Sequence, residues 1–356
     1  MKAPAALLAG TALAGTALVL ARAVRRRSPI DFRDRVAVIT GGSRGLGLLM
    51  ARELVVAGAR VALLARDADE LDLARRELAA IGGLRVLALP CDVEDADELR
   101  WAIDAAAERF GRLDILINNA GLIQVGPLEH MGVEDFAAAM RVHFWAPLHA
   151  TLAALPHLRR QATGRIVNIA SIGGRIAVPH LAPYSASKFA LVGLSDGLRT
   201  ELAKEGIHVT TVCPGLMRTG SHVNARFKGR REAELAWFGV SGALPLASMS
   251  GRRAARRILE ACRYGEPALT LTPQAKAAAV VNAAAPNLTA RLLELAARLL
   301  PGPAGDDGDE DLPGWRIASR WVPSLLTRLS DRAAVENNEL LGAAVAYGAN
   351  GNGREA

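Results

Sequence analysis

Short apolar runs alternate with longer amphipathic stretches from about residue 34 to 273, and this alternation predicts strands and helices in turn. Val36 to Ile39 is an apolar run of the kind that forms a buried strand, and the helical pattern that follows begins near Gly45. A second strand is expected to end at Ala65, ahead of an apolar-periodic helix opened by Asp67 and Glu70 at capping-box spacing. The run from Arg165 to Ser171 predicts another buried strand, Arg252 to Tyr264 a helix, and Ala268 to Thr272 the last strand. This order predicts an α/β fold with a mainly parallel sheet covered by helices on both faces. Past Pro273 the pattern becomes helical: Ala275–Ala284 and Leu288–Leu300 are separated by Pro286. An acidic, Gly/Pro-rich stretch from Pro301 to Gly314 is expected to be a disordered linker. Apolar spacing resumes from Trp315 to Leu341, which is expected to dock back on the core, with the last residues to 356 loose.

The join between the first strand and helix carries the first candidate chemistry. Thr40 to Gly47 reads TGGSRGLG, and Gly41, Gly45 and Gly47 let the backbone turn sharply and come close to a pyrophosphate. The helix beginning there offers unpaired N–H groups and the positive end of its dipole, and Ser43, Arg44 and Leu46 lie on the same loop. A site selective for NAD would place a carboxylate at the end of the second strand to accept from the ribose 2′-hydroxyl. That position instead has Ala65 followed by Arg66, and Arg44 stands within the glycine loop. Two guanidinium groups suit a 2′-phosphate, so the cofactor expected is NADP(H), with Asp67 explained as a helix cap.

The second element is a proton-transfer set. Tyr184 and Lys188 are four residues apart in PYSASK, and Ser171 precedes the tyrosine by thirteen positions. Positions i and i+4 share a helix face, which puts Lys188 beside the Tyr184 ring. A cation there would lower a phenol pKa of about 10. Ser171 ends a predicted strand, where it can hydrogen-bond a substrate oxygen as charge develops. YxxxK alone also describes a solvated helical pair; the serine and the glycine turn point instead to a nicotinamide-dependent carbonyl or alcohol oxidoreductase.

With these motifs the chain resembles the short-chain dehydrogenase/reductase family, in its single-domain, NADP-preferring branch, from about Asp34 to Pro273. The resemblance implies a Rossmann-type, doubly wound sheet of seven strands in the order 3-2-1-4-5-6-7. It also implies that Cys91-Asp92-Val93 contacts the adenine, that Asn118-Asn119-Ala120-Gly121 shapes the cofactor floor, and that Pro214-Gly215 with Thr219 holds the carboxamide. By the same resemblance Tyr184 is the acid/base, Lys188 binds the nicotinamide ribose and Ser171 the substrate oxygen. His143 stands where the family usually has an asparagine that anchors a relay water. It is either a relay member or a histidine satisfied within packed helices. Residues 221–250 correspond to the substrate lid, and Phe227, Trp237, Phe238, Leu244 and Leu246 suggest an apolar pocket there. The substrate expected is a hydrophobic ketone or secondary alcohol. A catalytically quiet sensor, and an epimerase or dehydratase on the same fold, remain alternatives. Pairing through the helices of His143 and Tyr184 would give a homodimer or tetramer.

Ala3 to Ala21 is uncharged and as a helix would span about 28 Å. Lys2 precedes it, and Arg22 with Arg25, Arg26 and Arg27 follows, so residues 1–28 are expected to be a membrane anchor with the enzyme domain on the cytoplasmic side. The formal net charge is +7, with further arginines clustered at Arg226–Arg231 and Arg252–Arg257. With no reading module or interleaved aromatics, these clusters predict a solvated surface or one facing anionic lipid, and no nucleic-acid partner. Cys91, Cys213 and Cys262 are scattered, which predicts reduced thiols and no metal site.

Overall fold

A computed structural model of the protein describes residues 29–340, apart from 162 and 246. Its centre is a seven-stranded parallel sheet of Val36–Thr40 (β1), Arg60–Ala65 (β2), Val86–Pro90 (β3), Ile115–Asn118 (β4), Arg165–Ile169 (β5), His208–Cys213 (β6) and Ala268–Thr270 (β7). The strands lie in the order β3-β2-β1-β4-β5-β6-β7, as the resemblance implies. β1 pairs with both β2 and β4, so the chain reverses its direction of winding there and opens a crevice at the carboxyl ends of the strands.

Alternation along β1 shows how the layers are held. Ala37 and Ile39 pack with Gly45–Val56 (α1) and Ala68–Gly82 (α2), while Val36 and Val38 face the opposite layer with Ala96–Phe110 (α3). Val133–Met140 (α4) widens into a π-helical turn at Arg141–Trp145 and continues as Ala146–Arg159 (α5), which packs on the α3 face. Ala182–Leu202 (α6) carries the tyrosine and lysine. Arg231–Ala243 (α7) lies within the segment 221–250, and Gly251–Tyr264 (α8) joins the α1 layer through Ala254, Ala255 and Ile258.

The carboxyl-terminal region departs from expectation in one place. Pro273–Ala284 (α9) and Pro286–Ala297 (α10) are helices, the second opened by Pro286, and 301–314 is an ordered part of the fold. Asp306–Asp309 makes a 3-10 turn, and Leu312–Pro313 pairs antiparallel with Arg226–Phe227, which in turn pairs with Gln124–Val125. This segment is held by arginines far away in sequence, through one ion pair and several bonds to its backbone carbonyls. Arg226 binds the Asp311 carboxylate, Arg231 donates to the Glu310 carbonyl at 2.9 Å and to that of Asp307, and Arg230 donates to Pro303 at 3.2 Å. The Arg226–Arg231 cluster therefore serves an intramolecular acidic segment and is not simply a solvated or lipid-facing surface. Arg328–Glu336 (α11) follows and docks on the core through Ala334, which is 1% exposed. The expected anchor, Ala3–Ala21 with its basic flank through Arg27, lies outside the described residues. Among the described residues no helix is long and apolar enough to cross a membrane.

Candidate active site

The crevice holds a cavity of about 860 Å³. Its wall includes Gly41, Ser43, Arg44, Gly45, Leu46, Arg66, Asp92, Val93, Asn119, Ala120, Gly121, Pro214, Gly215 and Thr219, together with His143, Ser171, Tyr184 and Lys188. Of the residues predicted to hold the cofactor, Asn118, which bonds Asn168 inside the sheet, is not in the wall, and neither is Gly47. Gly47 acts one layer back, since a Cβ there would stand 2.1 Å from the Gly41 carbonyl oxygen. Gly41 and Gly45 adopt φ of +63° and +56°, the left-handed region that glycine enters without strain. The loop is stapled to the end of β4 by Asn119, whose amide donates to the Thr40 and Gly41 carbonyls at 3.1 and 2.9 Å. Thr40 returns the contact, its hydroxyl accepting from Asn119 N and Ala120 N at 3.0 and 3.1 Å. Sequence reasoning named Thr40 only as the start of the motif.

The capping box expected of Asp67 and Glu70 forms only in part. Asp67 caps α2, accepting from Asp69 N and Glu70 N at 3.0 and 2.9 Å. Glu70, however, does not close a capping box. Its buried carboxylate turns into the cavity, where it accepts from Ser43 Oγ at 3.0 Å and from Arg44 at 2.7 Å. Arg44 also stands 3.6 Å from Glu339, a carboxyl-terminal residue that sequence reasoning did not single out. Burial pushes the Glu339 pKa above the ordinary glutamate value, against Arg44 and Asn224, which favour its charged form. Arg66 is exposed at the rim.

Two strands along the sheet from the glycine turn, about 10 Å at the usual strand spacing, β5 delivers Ser171. Its hydroxyl accepts from Gly173 N at 3.0 Å and hydrogen-bonds Tyr184. Pro183 at the start of α6 sets the entry of the helix, placing Tyr184 in its first turn and Lys188 one turn later. Lys188 is 4% exposed, donates to the Ile169 carbonyl at 3.0 Å, and sits 5.6 Å from the centre of the Tyr184 ring. The pKa directions oppose the expected ones. Burial raises Tyr184 above the ordinary tyrosine value despite the Ser171 hydrogen bond, and burial brings Lys188 down to about 7. Desolvation is the largest cause of both shifts.

His143 reaches the site from the π-helical turn. Its ring meets the Tyr184 ring edge-on, with centroids 5.4 Å apart. Leu122 N donates to its Nε2 at 3.2 Å, so the proton is on Nδ1, which donates to Ser187 Oγ at 2.8 Å; that hydroxyl donates onward to the Tyr184 carbonyl. Both ring nitrogens are thus engaged by protein atoms, and burial followed by the nearby Lys188 holds the pKa well below 6.5. His143 is thereby satisfied within the packed helices, and it ties the turn after β4 to the helix of the tyrosine.

Apolar side chains line the same cavity, including Leu122, Ile123, Val178 and Leu181. Of the expected lid residues, Trp237 and Phe238 line it, Phe227 is buried behind them, Leu244 is exposed, and Leu246 lies outside the described residues. Among the described residues no cluster of three or more His, Cys, Asp or Glu is arranged to hold a metal.

The donor set fits a dinucleotide: backbone N–H groups at the start of α1, hydroxyls of Ser43 and Thr219, guanidinium groups of Arg44 and Arg66, and the buried Lys188 ammonium. Comparison with known proteins agrees. The family model "short chain dehydrogenase" matches residues 35–228. A "Dehydrogenase/reductase SDR family protein 7-like" of Anopheles gambiae is 33% identical over 258 residues, covering 71% of this chain and 80% of its own. A D-beta-hydroxybutyrate dehydrogenase of Rhizobium meliloti is 36% identical over 186 residues, covering 52% of this chain and 72% of its own. A solved short-chain dehydrogenase/reductase of Serratia marcescens, a doubly substituted mutant, superposes with a TM-score of 0.58 at 27% identity, covering 68% of this chain and 98% of that one.

Proposed function

The chain belongs to the short-chain dehydrogenase family, and from that premise we propose that it interconverts a hydrophobic ketone and its secondary alcohol with NADP(H). Family membership makes it an oxidoreductase acting on CH–OH or C=O with a nicotinamide cofactor. The observation that carries the reading is the convergence of Ser171, Tyr184 and Lys188 on the cavity that the glycine turn also lines.

Bound in this cavity, a nicotinamide dinucleotide supplies or accepts the hydride. The chain does the rest. Ser171 and Tyr184, hydrogen-bonded to each other, offer two hydroxyls to one substrate oxygen. In reduction Tyr184 gives that oxygen its proton, which the raised pKa keeps on the phenol up to high pH. Lys188 lies beside the ring and, when charged, stabilises the phenolate left behind. His143 positions the tyrosine through Ser187.

NADP(H) is favoured over NAD(H) by Arg44 and Arg66 in the wall and by Ala65, not a carboxylate, at the end of β2. An apolar substrate is supported by the Trp237, Phe238, Val178 and Leu181 side chains. Anchoring by residues 1–28, with the enzyme domain in the cytoplasm, belongs to the same reading and rests on the uncharged run and its basic flank. The exposed Leu288, Leu292, Leu295 and Leu299 of α10 and its carboxyl end add a second apolar surface to it.

The test is oxidation of NADPH and NADH by the purified protein against graded ketones, beside Tyr184→Phe. Turnover with NADPH that grows with substrate hydrophobicity and disappears in Tyr184→Phe is expected. Turnover indifferent to Tyr184, or confined to NADH and small polar ketones, would overturn it.

A further inference from the structure

The carboxyl-terminal segment does more than dock. After α11 the chain turns at Asn338, whose φ is +59°, and residues 336–339 lie across the glycine turn. Gly45 N, the first amide of α1, donates to the Asn337 carbonyl at 2.9 Å. Asn338 donates to the Ser43 carbonyl at 3.4 Å, and Asn337 to that of Thr219 at 3.2 Å. Arg52 on α1 clamps the segment from behind, donating to the Asn337 side chain at 3.1 Å and to the Glu336 carbonyl at 2.8 Å. The Glu339 carboxylate then enters the cavity wall: it is 6% exposed, 3.6 Å from Arg44, and only 2.5 Å from where a Cβ on Gly45 would stand. Asn224 holds it there, donating to its Oε2 at 2.6 Å and to its carbonyl at 2.8 Å.

These contacts use the groups that a dinucleotide's phosphates need. The amide that opens α1 is taken by a carbonyl, and the guanidinium of the glycine loop is shared between Glu70 and Glu339. A carboxylate has no proton to offer a phosphate, so Glu339 and a bound pyrophosphate would meet as two acceptors of like charge. We propose that residues 336–340 form a strap that occupies the phosphate cradle in place of the cofactor, with Glu339 as its competing anion, and that the strap must withdraw for the dinucleotide to bind. This rests on the reading of the cavity as a dinucleotide site. Withdrawal is feasible because the strap is held by hydrogen bonds at the end of a nine-residue helix and contributes no strand to the sheet. The consequence is that apparent cofactor affinity falls by the fraction of molecules with the strap open.

The experiment is a calorimetric titration of NADPH and NADH into the full-length protein, Glu339→Gln and Asn224→Ala. Glu339→Gln removes the anion and keeps an acceptor for Asn224, while Asn224→Ala leaves the anion and removes its clamp. Hydrogen exchange of peptides covering 328–340 is followed in the wild type with and without saturating cofactor. Glu339→Gln should bind about tenfold tighter or more and Asn224→Ala several-fold tighter, and the strap should exchange faster when cofactor is bound. Equal or weaker binding by Glu339→Gln, or a strap better protected with cofactor, overturns the strap and leaves the dinucleotide reading standing. Failure of every form to bind either dinucleotide overturns both.

Discussion

Lys188 Nζ lies 5.6 Å from the centre of the Tyr184 ring and donates its hydrogen bond to the Ile169 carbonyl at the end of β5. The ammonium is therefore fixed by the sheet, and the ring comes to it on the helix. Both groups are desolvated, and each leans toward its neutral form, the phenol above its ordinary pKa and the lysine near 7.

That arrangement costs stability whenever Lys188 is charged. In the unfolded chain a lysine titrates near 10.4, in the folded cavity at about 7. Between those values the unfolded state binds the extra proton, so stability from this group rises with pH, by up to about 1.4 kcal/mol per unit. It is fully present above about pH 10 and lost as pH falls through 7. Denaturant unfolding of the cofactor-free protein and of Lys188→Met from pH 6.5 to 10 should show curves that diverge toward low pH, with the variant the more stable there. Parallel curves would show that the lysine keeps its ordinary pKa.

The succession of strands and helices, the glycine turn and the serine–tyrosine–lysine set were legible because each is local: an apolar run, a turn that only glycine can make, a four-residue helical spacing; the order of the strands in the sheet came only with the family resemblance. Residues whose partners are remote were not. Glu70 fitted a capping box until Ser43 and Arg44 were found on its carboxylate, and 301–314 had the composition of a linker until its arginine partners on 226–231 were known. Ser43 and Asn338 are 295 positions apart, and no periodicity links them. His143 was placed correctly beside the site, but which atoms would take its nitrogens depended on the π-helical turn.

His143 leaves a structural rather than a titrating signature. His143→Ala strands the Leu122 N–H and opens a cavity beneath the Tyr184 ring, which should cost about 2–4 kcal/mol by denaturant unfolding. Because burial and Lys188 keep its pKa well below 6.5, no limb of the rate profile between pH 5.5 and 7 should belong to it. A limb near pH 6 that disappears in His143→Asn would restore the relay.

The lid hangs on one carboxylate. Glu234 on α7 is fully buried, accepts from Trp237 Nε1 at 2.6 Å, and pairs with His180 Nδ1 at 2.8 Å on the loop before Tyr184. Glu234→Ala leaves two half-buried polar groups, the Trp237 indole and the His180 ring, without their acceptor and should destabilise the protein by about 2 kcal/mol. Since Trp237 lines the cavity, its fluorescence should shift and KM for an apolar ketone should rise more than kcat falls. An unchanged KM would mean that Trp237 does not contact substrate.

Gly47 separates loop shape from side-chain chemistry, because it touches nothing inside the cavity. A methyl group there would stand 2.1 Å from the Gly41 carbonyl oxygen and 2.7 Å from Asn119 Nδ2, and both belong to the staple that joins the glycine turn to β4. Backbone must move to admit it, so the loss should fall on the loop while the sheet, built from β1 to β7, stays paired. Gly47→Ala should therefore keep its circular dichroism and lose about tenfold or more in dinucleotide affinity, equally for NADPH and NADH, since the distortion precedes any contact with the 2′ position. Arg66→Ala should behave oppositely, weakening NADPH by about tenfold and leaving NADH unchanged, as a side chain that reads only the 2′-phosphate must. Equal losses for both dinucleotides in Arg66→Ala would remove Arg66 from the cofactor choice and leave Arg44 as its remaining determinant.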